Sequence, residues 1–159
     1  GWLADTIMEM EEPVVFLYFS DHLPYLGEDD IGYKVLGFDI DADGSLEEYL
    51  NKYETPYFIL ANDSAEKLFQ ENGVQVKKGQ GPQISVNYLA VELLEAAGLD
   101  GGSYFNYLSE LRDEIPVISY RFIKERDRFT DKPSQRTKDL LRTYSMIQYY
   151  MFMDKDTAQ

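Results

Sequence analysis

Apolar and polar positions divide the chain into segments of two periods. Trp2, Leu3, Ile7 and Met8 fall near one helical face, which predicts a short amphipathic helix over 2–10, stopped by Pro13. The run Val14-Val15-Phe16-Leu17-Tyr18-Phe19 is continuously β-branched, aliphatic and aromatic. Without polar alternation it reads as a strand covered on both faces, and it predicts a central parallel strand. Gly and Asp become frequent from Ser20 to about Asp43, so a long surface loop is expected there. Ser45 to Tyr53 predicts a helix with Ser45 as N-cap and Glu48 completing the Ser-x-x-Glu box. Thr55 to Ala61 predicts a second strand, and residues 64–72 a helix ending at Asn72-Gly73.

The stretch Lys77-Lys78-Gly79-Gln80-Gly81-Pro82 reads as a polar loop. Beyond it, Leu89, Leu93, Leu94 and Ala97 stand at helical spacing within Ile84–Ala97, closed by Gly98, and Ser103–Arg112 continues as a helix before Pro116. From about Thr137 to Met153, Leu140, Leu141, Tyr144, Ile147 and Met151 form a stripe that reads as core packing. Strands alternating with helices predict an α/β class with a mainly parallel sheet flanked by helices. No repeat or linker divides residues 1–159, which are expected to form a single compact unit.

Composition narrows the classes of function. With 44% hydrophobic and 14% aromatic residues in 159, the chain can build its own core. Fifteen Lys+Arg against 29 Asp+Glu leave a net charge of -14, which repels phosphate backbones and argues against general nucleic-acid binding. The absence of cysteine excludes disulfides, thiol nucleophiles and Cys-ligated metals. No segment approaches the roughly 18 apolar residues of a membrane span. Gly1-Trp2-Leu3-Ala4-Asp5 has no initiator Met, basic region or cleavage site, so the chain reads as a soluble fragment from the middle of a longer protein.

Two local patterns are candidates for metal chemistry. In Phe19-Ser20-Asp21-His22-Leu23-Pro24 a buried strand gives way to a loop, the place where open α/β sheets bind ligands. Asp21 and His22 diverge in an extended segment, but a turn aims both at one ion, and the oxygen–nitrogen mixture suits manganese or zinc. His22 is the only histidine, so these residues alone cannot make a two-histidine site. Separately, Asp39-Ile40-Asp41-Ala42-Asp43-Gly44 opens like an EF-hand calcium loop. Leu50 stands where that loop needs its bidentate Glu, so an acidic loop with an Asp-Gly turn is the competing reading.

The strand ending in Ser-Asp-His-Leu-Pro resembles the metal-binding segment of the sulfatase-like branch of the alkaline phosphatase superfamily. Within it, the chain most resembles the lipoteichoic acid synthase-type phosphoglycerol transferases of Gram-positive bacteria. The likeness continues in order through Thr55-Pro56-Tyr57-Phe58-Ile59-Leu60-Ala61-Asn62, Ser85 to Leu99, Tyr104-Phe105-Asn106-Tyr107-Leu108, Ile115-Pro116-Val117-Ile118 and Tyr144 to Tyr150. It implies that residues 1–159 are the C-terminal portion of a sulfatase-like catalytic domain at the extracellular face of a bacterial membrane. It further implies that Asp21 and His22 ligate one divalent ion, most often Mn, with Zn or Mg as alternatives. By the same resemblance, the remaining ligands, the nucleophilic Thr and a substrate-binding His are expected in the upstream half of the same domain, and the substrate is expected to be a phospholipid or glycolipid. Where some members carry a further His after the pair, this chain has Leu26.

No catalytic residue is expected within the chain, because Thr55, Thr130, Thr137, Thr143 and Thr157 do not sit in a strand-to-helix elbow beside a base. The fragment alone is therefore expected to be inactive. Sulfate-ester hydrolysis, phosphoethanolamine transfer and a non-enzymatic, calcium-stabilised binding module are the alternatives. One locally basic region, Lys124-Glu125-Arg126-Asp127-Arg128 with Lys132, Arg136, Lys138 and Arg142, reads as a mixed-charge surface or as a contact for phosphate-rich ligands.

Overall fold

The structure is a computed structural model that describes residues 1–75 and 78–153; Lys77 and Thr157 lie outside the described residues. Where the sequence marked no boundary, the contacts cluster into two compact units, 1–81 with 96–98 and 82–95 with 99 onward.

In the first unit, helix α1 (Trp2–Met8) leads into strand β1 (Val15–Phe19), and a short 3-10 turn precedes α2 (Ile31–Val35). Helix α3 (Leu46–Tyr53), strand β2 (Tyr57–Ala61) and helix α4 (Asp63–Glu71) follow. Helix α3 starts where its capping box directs. The Ser45 hydroxyl accepts the Glu48 N–H and the Glu48 carboxylate accepts the Ser45 N–H, satisfying two donors that the first turn leaves open. Ile7, Tyr33, Tyr49, Ala65 and Phe69 are buried.

Asn62 caps α4 and is itself fully buried. Its carboxamide oxygen accepts the N–H groups of Val14 and Ala65, while its NH2 group faces the carbonyls of Ile7, Met10 and Glu12. One side chain thus joins the end of α1, the entry to β1 and the start of α4.

The α/β class holds, but the expected parallel pairing does not. Strand β1 runs antiparallel to β2, with Val15 opposite Ala61 and Phe19 opposite Tyr57. A continuous apolar run reports what covers a strand and says nothing about the direction of its neighbour. Here residues 20–56 return the chain to the end that β1 left. Coverage also differs from expectation: Val15–Leu17 are half-buried, whereas Tyr18 and Phe19 are exposed, and Tyr18 stacks on Phe58 at 4.9 Å. The expected loop over 20–43 contains α2, whose five residues are too few to show a helical period.

The second unit comprises α5 (Leu89–Ala96), α6 (Gly102–Glu114), strands β3 (Val117–Ile118), β4 (Ile123–Glu125) and β5 (Arg128–Thr130), and α7 (Gln135–Met153). Its strands form an antiparallel meander in the order β3-β4-β5. Tyr88, Val91, Leu108, Leu111 and Ile115 make the core, against which Leu140, Leu141 and Tyr144 of α7 pack. The stripe on α7 therefore packs over its first half, while Met151 in its last turn is exposed. Arg112 lies between the carboxylates of Glu92 and Glu95. Burial works against its charge, but Glu95 and Glu92 outweigh that and raise its pKa.

Candidate metal-ligand pair after strand β1

The segment after β1 is fixed where it begins. The Ser20 N–H donates to the Pro56 carbonyl at 3.4 Å, and the Thr55 hydroxyl donates to the Ser20 carbonyl at 2.5 Å. Ser20 in turn donates its hydroxyl to the His22 carbonyl at 3.0 Å, which bends the chain at the pair. Pro24 holds Leu23 to extended conformations. Further on, the Tyr33 hydroxyl donates to the Pro24 carbonyl at 2.6 Å.

This bend brings the two side chains together. His22 Nδ1 stands 2.7 Å from the Leu23 carbonyl, and because a carbonyl only accepts, Nδ1 carries the hydrogen. The neutral ring then keeps its lone pair on Nε2, which lies 3.6 Å from Asp21 Oδ1. Two electron-pair donors of different softness thus face one region of solvent, with the side chains of His22 and Asp21 77% and 80% exposed. An oxygen and a nitrogen bound to one ion at about 2.0–2.2 Å stand roughly 3–3.5 Å apart. The pair therefore fits a shared cation with a shift of a few tenths of an ångström. A ring nitrogen tied to a backbone carbonyl is also the arrangement that orients metal-binding histidines. Among the described residues no group of three or more Asp, Glu or His side chains is disposed to hold a metal.

The acidic loop is arranged differently. Asp41 accepts the Asp43 N–H at 2.9 Å in a turn, Asn51 donates to the backbone carbonyl of Asp39, and the Glu48 carboxylate is occupied by Ser45. The bond from Ser45 holds the Glu48 carboxyl below the usual range, against the charge of Asp41. Asp39, Asp41 and Asp43 are not brought to a common point.

The described threonines make structural contacts. Thr55 is bonded to Ser20, Thr143 donates to the Asp139 carbonyl, Thr130 accepts the Lys132 N–H, and the buried Thr137 pairs with Ser134. Of the basic region, Arg126 and Arg136 both pair with Glu114. Sequence reasoning missed Tyr33 and the role of Thr55. Neither carries a local signal, because each meets its partner only through the tertiary fold.

The model of the family described as Sulfatase matches residues 3–99, a span containing both strands of the first sheet and the Asp21–His22 pair, and the chain belongs to that family. Comparison with curated proteins and with solved structures gave no significant match.

Proposed function

We propose that the chain supplies part of the active site of a metal-dependent phosphoglycerol transferase of the lipoteichoic acid synthase type, with Asp21 and His22 as two ligands of a divalent cation, manganese foremost. The observation that carries this reading is the convergence of Asp21 Oδ1 and His22 Nε2 at 3.6 Å with Nδ1 held by Leu23. Asp21 contributes a hard anionic oxygen, and His22 an imidazole whose tautomer leaves Nε2 free. A cation held by Asp21 and His22 would supply charge neutralisation at a phosphoryl group and lower the pKa of a hydroxyl nucleophile. That nucleophilic Thr, the remaining ligands and the substrate-binding His come from the upstream half of the same catalytic domain. The donor is a phosphatidylglycerol-like lipid and the acceptor a glycolipid or growing polymer at the outer face of a bacterial membrane. Among the described residues no helix is long and apolar enough to cross a membrane.

Sulfate-ester hydrolysis and phosphoethanolamine transfer would use the same pair and differ in substrate. The calcium-stabilised module is not favoured, because Asp41 and Glu48 are engaged by their own backbone. The test extends the chain upstream and measures glycerol phosphate release from phosphatidylglycerol vesicles, sulfate-ester hydrolysis and phosphoethanolamine transfer, with and without manganese. Glycerol phosphate release should fall at least about 100-fold in His22→Ala and Asp21→Asn. Activity indifferent to His22 would overturn the assignment.

A further inference from the structure

We propose that Tyr33 is a positioning residue for His22, a role that rests on the metal-ligand reading of that imidazole. Tyr33 is 7% exposed, and its hydroxyl reaches the Pro24 carbonyl at 2.6 Å. The proline ring already sets φ of Pro24, so fixing its carbonyl sets ψ as well. The Leu23 carbonyl is bonded to the Pro24 nitrogen and shares its peptide plane, so it is fixed by the same contact. That carbonyl accepts His22 Nδ1–H at 2.7 Å. A phenol eleven positions downstream of the histidine therefore determines which ring nitrogen is protonated and where Nε2 stands.

The approach of Tyr33 is built in. Its neighbour Gly32 donates to the Leu26 carbonyl at 2.9 Å, and a Cβ at Gly32 would lie 2.5 Å from the Leu26 Cβ, so only glycine lets α2 close on this segment. At the other end, Thr55 holds Ser20. The bend is thus held on both sides, and its two side chains are left open to solvent.

Because His22 is the sole histidine, its imidazole can be read in the intact chain. Long-range proton–nitrogen correlation at about pH 8.5, where ordinary imidazoles are neutral, should show Nδ1 protonated and Nε2 bare. Tyr33→Phe, which removes only the hydroxyl, should largely erase the difference between the two nitrogen shifts. Pro24→Ala, which frees the peptide plane while leaving Tyr33 in place, should do the same and serves if the first variant does not fold. Ser45→Ala, a cap far along the chain, should leave the shifts alone, which separates positioning from general loosening. In parallel, manganese should broaden the His22 signals, with about tenfold more ion needed in Tyr33→Phe. Unchanged nitrogen shifts in Tyr33→Phe and Pro24→Ala, or equal changes in Ser45→Ala, would overturn the role of Tyr33. If manganese fails to broaden His22 in the unaltered chain, the metal reading falls, and the nitrogen shifts still decide whether Tyr33 sets the ring.

Discussion

The Asn62 side chain accepts the Val14 backbone N–H at 3.0 Å, 48 residues away in the chain. The same oxygen caps α4, and the amide nitrogen serves three carbonyls around the end of α1. Asn62→Ala leaves these groups unpaired in a fully buried place and should cost about 3 kcal/mol, read as a lower urea midpoint. Asn62→Asp should be no better, because a carboxylate would face the carbonyl oxygens of Ile7, Met10 and Glu12.

Asp21→Asn and His22→Ala should behave in the opposite way. Both side chains are open to solvent and support nothing that packs, so each should change stability by less than about 0.5 kcal/mol. A loss of cooperative unfolding in either variant would assign the pair a structural role instead.

Acid should weaken the fold through three carboxyls held below their usual range. Glu48 is held by Ser45, Glu114 by Arg126 with Arg136, and Glu125 by Thr137 with Ser134. A carboxyl with a lower pKa in the folded chain binds fewer protons there than when unfolded. Its contribution is therefore complete above the unfolded value of about 4.5 and is lost as pH falls through the folded value. Urea midpoints should drop as pH falls below about 4.5, with a shallower decline in Glu114→Gln. An equal slope in that variant would show that the pairs with Arg126 and Arg136 do not form in solution.

Arg112 is expected to be needed while its carboxylates are charged. Its side chain is 13% exposed between Glu92 and Glu95, so Arg112→Ala strands two acids and should cost about 3 kcal/mol near neutral pH. A lowered urea midpoint in Arg112→Ala is the expected readout. Urea titrations of both proteins near neutral pH check this.

Both strands of the first sheet, six of the helices and the closeness of Asp21 to His22 were legible because their signals are local. β-branched and aromatic runs mark β1 and β2, Ser45 and Glu48 write the start of α3, and Asp21 and His22 are neighbours in the sequence. What the sequence did not disclose is set by distant partners. Pairing direction depends on where residues 20–56 bring the chain back. The strands β3–β5 escaped notice because they are two or three residues long and carry Lys124, Glu125 and Arg128. The hold of Tyr33 on Pro24 and of Thr55 on Ser20 is invisible until α2 and β2 are folded against the loop.

Antiparallel pairing gives the first sheet a property that can be followed amide by amide. The Asn62 N–H reaches Val14 and the Ser20 N–H reaches Pro56, so the alternation turns the amides of Phe16, Tyr18, Phe58 and Leu60 inward and those of Val15, Leu17, Phe19, Ile59 and Ala61 outward. In deuterated water the inward set should exchange slowly and the outward set quickly. Any strand laid along either margin of this sheet in a longer polypeptide would slow one half of the outward set, so Leu17 and Ile59 report separately on the two margins.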